Sequence, residues 1–143
     1  MGKLVLIIDD SEEMILLMRK FLEDKGLSVE SALDGASGVR KALESAPDLI
    51  LLDFNMPGEN GVEIYSRLRG VPATAVIPVV FVSATVTGLL QRMVVENPRV
   101  RFLKKPCKRE DLAGCVEGML ALPRLQPPPS PPPPKKGEFS EYE

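Results

Sequence analysis

The chain has 143 residues, 44% of them hydrophobic, with 18 Lys and Arg against 20 Asp and Glu for a formal charge of -2; this is the length of one domain with enough apolar residues for an ordinary core. No long basic run or strong net charge points to nucleic acid or an anionic membrane, and the absence of histidine removes a His base, a His metal ligand and a phosphohistidine donor from within the chain. The apolar run Leu4 to Ile8 is too short for a signal sequence or a membrane helix and ends in Asp9 and Asp10, so a cytoplasmic protein is expected.

Met1-Gly2 begins like a myristoylation signal, but Leu6 stands where Ser or Thr is needed. The first predicted strand is Lys3 to Ile8. A helix follows over Glu12 to Glu23, with Met14, Leu17, Met18, Phe21 and Leu22 on one stripe and Gly26 as its C-cap. Strand Ser28 to Ala32 and helix Ser37 to Glu44 come next. Leu49 to Leu52 is a continuous apolar strand that runs straight into Asp53 and then a turn through Asn55, Met56, Pro57 and Gly58. Helix Val62 to Leu68, strand Pro78 to Val82, helix Thr87 to Glu96, strand Val100 to Lys104 and helix Arg109 to Leu120 complete the series. Strands rich in Val, Ile and Leu with little alternation read as covered on both faces. Five strand-helix repeats therefore predict an α/β fold with a doubly wound parallel sheet.

Open sheets of this kind bind ligands beyond the carboxyl ends of their strands. The polar residues expected there are Asp9 and Asp10 after the first strand, Asp53 after the third, Ser83 after the fourth, and Lys104-Lys105 after the fifth. Three converging carboxylates repel one another unless a cation joins them, and Mg²⁺ suits oxygen ligands shared with a phosphate. Asp53 then reads as a nucleophilic carboxylate able to become an aspartyl phosphate, with the hydroxyl and an ammonium holding the other phosphoryl oxygens. Taken singly, these residues have plainer roles: Asp10 with Glu13 fits a helix cap, Ser83 a satisfied hydroxyl, Phe102 a core or edge aromatic. Lys104 and Lys105 point to opposite faces of a strand, so only one can reach the site. Lys105, which precedes a proline, is assigned to it and Lys104 to solvent.

Four motifs in this order, Asp9-Asp10 after an apolar strand, "DFNMPGENG" from Asp53, "VSA" from Val82 and "FLKKP" from Phe102, resemble the receiver domains of two-component response regulators over roughly residues 2 to 121. The resemblance implies a flavodoxin-like (βα)5 fold with strand order 2-1-3-4-5. It implies that Asp53 accepts a phosphoryl group from the phosphohistidine of a histidine kinase or histidine phosphotransfer protein. It further implies that Asp10 and Asp53 bind Mg²⁺ directly, Asp9 mainly through water and Asn55 through its backbone carbonyl. Ser83 would hydrogen-bond the phosphoryl group, Lys105 would pair with it beside a commonly cis bond to Pro106, and Phe102 matches the switch aromatic. Ser83 stands where threonine is more frequent, keeping the hydroxyl, and Phe102 lacks the oxygen of the commoner tyrosine. By the same resemblance Asn55 and Thr85, two positions beyond Asp53 and Ser83, would flank the approach of hydrolytic water.

Residues 123–136 hold eight of the fourteen prolines and predict a polyproline II spacer or ligand, followed by the short acidic, aromatic "GEFSEYE". The expected organisation is thus a receiver over residues 1–122 and a proline-rich tail over 123–143, with output through another protein. Its output surface is placed between Thr87 and Ala121, facing a target protein or, on phosphorylation, a second copy of the chain. A phosphorelay shuttle is the alternative within signalling. A hydrolase working through an aspartyl phosphate is the alternative outside it, although haloacid-dehalogenase-like phosphatases carry D-x-D on the first strand, whereas here the acids are adjacent. Cys107 and Cys115 have no partners for a zinc set and read as free thiols.

Overall fold

In the computed structural model, which describes residues 2–85, 87–123 and 125, the chain forms β1 (Leu4–Ile8), α1 (Glu12–Glu23), β2 (Ser28–Ala32), α2 (Gly35–Ser45), β3 (Leu49–Asp53), β4 (Asn55–Met56), β5 (Glu59–Asn60), α3 (Gly61–Arg69), α4 (Pro72–Ala75), β6 (Val79–Ser83), α5 (Gly88–Glu96), β7 (Val100–Lys104) and α6 (Arg109–Leu120). The five long strands pair in parallel in the order β2-β1-β3-β6-β7. Counting those strands alone, this is the 2-1-3-4-5 order of the flavodoxin-like fold. Most of the expected tail, and Val86, lie outside the described residues.

The period-two geometry of a strand divides the apolar runs between two cores. Leu6, Ile8, Ile50, Leu52, Val79 and Phe81 meet Ala42 of α2, Ile64 and Leu68 of α3 and Leu90 of α5. Val5, Ile7, Leu49, Leu51, Val80 and Val82 meet Ile15, Met18 and Leu22 of α1 and Leu112, Val116 and Met119 of α6. All five residues of β3 and of β6 are buried, so the central strands are insulated on both sides up to the polar residues at their ends.

Local signals differ from the sequence expectation in a few places. In α1, Ile15 faces the core and Leu17 is 43% exposed, because the stripe follows Ile15, Met18 and Leu22 rather than the neighbouring row. The N-cap is Ser11, whose hydroxyl accepts the Met14 N–H at 3.2 Å, so Asp10 is not the cap. Helix α2 starts two residues early because Asp34 caps it through Ser37 N–H at 2.8 Å. Gly26 behaves as expected of a left-handed residue closing a helix: φ is +83°, its N–H reaches the Glu23 carbonyl at 2.9 Å, and Leu27 N–H reaches Leu22 at 3.2 Å. The β4–β5 hairpin and the short α4 were not anticipated. Pro57 followed by Gly58, at φ +76°, makes the two-residue turn of that hairpin.

Candidate functional site

Asp9 and Asp10 follow the carboxyl end of β1, Asp53 ends β3, Ser83 ends β6, and Lys105 follows β7; the parallel register brings all four ends to one side of the sheet. Carboxylate oxygens from Asp9, Asp10 and Asp53 lie within 4.8 Å of one another. Asp9 and Asp53 are buried, at 1% and 4% exposure, while Asp10 faces solvent. Lys105 closes the inner side of this group, its Nζ 3.2 Å from Asp9 Oδ2 and 3.4 Å from Asp53 Oδ1. Lys104 is exposed, and the Lys105–Pro106 bond is cis, as expected.

Backbone donors fix the two buried acids. Asp9 Oδ1 accepts the Ser11 N–H at 2.9 Å, and Asp53 Oδ1 accepts the Asn55 N–H at 3.3 Å. Even so, burial, followed by repulsion from Asp9, pushes the Asp53 carboxyl up to about 6, against the opposing pull of Lys105. For Lys105, burial works against the charged form, but the carboxylates of Asp53 and Asp9 together hold its pKa above the ordinary lysine value. Three acids facing one ammonium leave negative charge in excess. An all-oxygen donor set with one solvent-facing member suits a hard cation, which would relieve that repulsion. The acidic triad is thus able to bind a metal ion.

The remaining predicted residues stand around this group in different ways. Ser83 is buried, but its hydroxyl donates to the Thr85 carbonyl at 2.6 Å and accepts the Thr85 N–H at 3.2 Å. Its hydrogen bonds therefore close the turn after β6. Asn55 opens the β4–β5 hairpin with its side chain exposed. Phe102 is half-buried against the core that also seats α5. Burial pushes both cysteine thiols, Cys107 and Cys115, above their ordinary value, and neither is in a disulfide.

Sequence reasoning passed over Glu59. Its carboxylate reaches from the hairpin to the first turn of α2, accepting the Gly35 N–H at 2.8 Å, and forms an ion pair with Arg67 at 3.3 Å. Pro57 and Gly58 signalled a turn, but nothing in the sequence spacing pairs residue 59 with residue 35.

Comparison with known proteins agrees with this geometry. The sequence matches the response regulator receiver domain family over residues 5–117. It is 30% identical over 124 residues to the phosphate regulon transcriptional regulatory protein PhoB of Rhizobium meliloti, covering 81% of this chain and 51% of that protein. It is 35% identical over 107 residues to the response regulator PleD of Caulobacter vibrioides, covering 74% of this chain and 23% of that one. The chain spans about half the length of the first of these relatives and less of the second. Among solved structures, the chemotaxis protein CheY4 of Vibrio cholerae superposes with a TM-score of 0.77 at 25% identity, covering 83% of this chain and 99% of that one.

Proposed function

The chain belongs to the response regulator receiver family, phosphoacceptor signalling domains that work with histidine kinases, and from that premise we propose that Asp53 is its phosphoacceptor. The observation that carries this is the placement of Asp53: a buried carboxylate with an oxygen 3.4 Å from Lys105 Nζ and two further acids within reach. An Asp53 oxygen attacks phosphorus of a partner's phosphohistidine, the P–N bond breaks, and the imidazole leaves with its electron pair. At pH 7 a carboxyl with a pKa of about 6 is largely ionised, so the nucleophile is available.

Asp9, Asp10 and Asp53, with the Asn55 backbone carbonyl, would hold the cation, and Mg²⁺ is the one we assign. When bound, it neutralises phosphoryl oxygens that would otherwise meet three carboxylates. Lys105 stays near its two acids and is positioned to pair with one oxygen of the product. The Ser83 hydroxyl can take another only by giving up the Thr85 carbonyl. That exchange would shift the turn leading to α5, and we place the output there: Leu90 is the buried anchor of α5, while Val95 is 85% exposed and Leu89 42%. Met93 and Val94 pack only partly, so the helix is lightly held. Val95 and Leu89 both fall outside the packed stripe.

The chain acts in this reading as a cytoplasmic switch over residues 1–122, with residues 123–143 as a spacer tail and output through a separate protein or a second copy. Among the described residues no helix is long and apolar enough to cross a membrane. Incubation with an autophosphorylated histidine kinase or phosphotransfer protein tests the proposal. Label should leave the donor histidine for Asp53, and it should not do so with Asp53→Asn. Label that returns readily to histidine would favour the shuttle, and label that stays on the donor would contradict both.

A further inference from the structure

The β4–β5 hairpin begins one residue after Phe54 and ends where α3 starts, so whatever holds the hairpin also holds Asn55 beside the acids. Asn55 pairs with Asn60 and Met56 with Glu59, while the Asn55 N–H donates to Asp53 Oδ1 at 3.3 Å. The other end of this chain of bonds is Glu59. Its Oε2 accepts the Gly35 N–H at 2.8 Å, at a helix N-terminus where unpaired N–H groups and the dipole both favour a carboxylate. Gly35 is shaped for the contact: a Cβ there would stand 2.4 Å from Glu59 Oε2 and 2.8 Å from Ile64 Cγ1. The ion pair with Arg67 is a lesser tie, since the Arg67 side chain is 47% exposed.

We propose that Glu59 is a positioning residue for the phosphoacceptor site: by fastening the hairpin to the start of α2 it holds the Asn55 backbone against Asp53, and so sets the affinity of the acids for their cation without touching it. This rests on the roles given above to Asp53 and Asn55. Thermodynamic linkage makes the coupling reciprocal, so a clamp that favours the cation must itself be tightened when the cation binds.

The test follows Mg²⁺ affinity by calorimetry and hydrogen exchange at the Gly35 amide, with no kinase present. Mg²⁺ should slow exchange of the Gly35 amide in the wild-type protein. Glu59→Ala should weaken Mg²⁺ binding roughly tenfold, the lower end of what deleting a side chain that orients a metal ligand costs. Glu59→Gln keeps an acceptor oxygen and should stay within about threefold, the scale of a weakened hydrogen bond. Arg67→Ala, which removes only the ion pair, should bind Mg²⁺ as the wild type does. A folded Glu59→Ala protein that loses thermal stability but binds Mg²⁺ normally overturns the proposal. Should that variant not fold, Gly35 exchange indifferent to Mg²⁺ in the wild type overturns it equally. Failure of the underlying reading looks different and overturns both: the wild type itself binds no Mg²⁺, and Asp53→Asn changes nothing.

Discussion

Asp53 sits where its ionised form is disfavoured, and that has a measurable consequence for stability. Its carboxyl is raised from 3.8 to about 6 by burial and by Asp9, so the folded protein holds this proton more tightly than the unfolded chain. The contribution is most favourable below the unfolded value and is lost as pH rises towards 6, with nothing further to lose above it. In EDTA at pH 7.5, Asp53→Asn should therefore be more stable than the wild type by about 1 to 3 kcal/mol, at roughly 1.4 kcal/mol per pKa unit. Thermal melts at pH 5 and 7.5 check this: the advantage should shrink at pH 5, and Mg²⁺ should stabilise the wild type at pH 7.5 far more than the variant. An advantage independent of pH would refute the assigned charge balance. At this scale the sequence was legible where chemistry ends a strand, because an apolar run closing in Asp9, Asp53 or Lys105 can deliver that side chain to only one edge of the sheet. It was not legible where two short-range options compete, as at Ser11 and Asp10 for one cap, or where contacts span the chain, as between Glu59 and Gly35.

Elements differ in how closely they are packed, and two glycine substitutions in helices should separate the cases. At Gly38 in α2 a Cβ would lie 2.5 Å from Ile8 Cδ1 and 2.8 Å from Ile8 Cγ1, whereas at Gly118 in α6 nothing lies within 4 Å. Gly38→Ala should cost about 1 to 2 kcal/mol, overpacking exceeding the gain in helix propensity, and Gly118→Ala should gain about 0.5 to 1 kcal/mol. Urea unfolding of both variants checks the signs. Helix α5, anchored by Leu90 and leaving Val95 open, should tolerate Val95→Glu within about 0.5 kcal/mol. Binding to the phosphorylation-dependent partner should nevertheless fall, and unchanged pull-down by Val95→Glu protein would move the output face elsewhere. The existence of the strands followed directly from five apolar runs separated by amphipathic stretches, whereas their 2-1-3-4-5 order came from the family resemblance. The two-residue strands and α4 were missed because elements that short carry no periodicity; the Pro57-Gly58 pair announced a turn but not the strands beside it.

For the whole molecule, the two cores close by Met119 of α6, and the family match ends at residue 117. Beyond α6, Arg99 Nη2 donates to the Pro123 carbonyl on the surface. Removing residues 123–143 should therefore leave folding and phosphorylation intact. A truncated protein that cannot fold would make the tail part of the domain. The doubly wound architecture was readable from pattern because the central parallel strands are buried on both faces and so read as unbroken apolar runs, whereas a proline run fits a spacer and a ligand equally by composition alone. The claim on which the account turns is that one carboxylate, Asp53, takes the phosphoryl group with the help of a cation held by its neighbours. Incubation with acetyl phosphate, followed by mass-spectrometric mapping, measures it directly. The prediction is a single adduct on Asp53 in Mg²⁺, with little in EDTA and none in Asp53→Asn; an adduct on another residue, or full labelling of the wild type in EDTA, would contradict it.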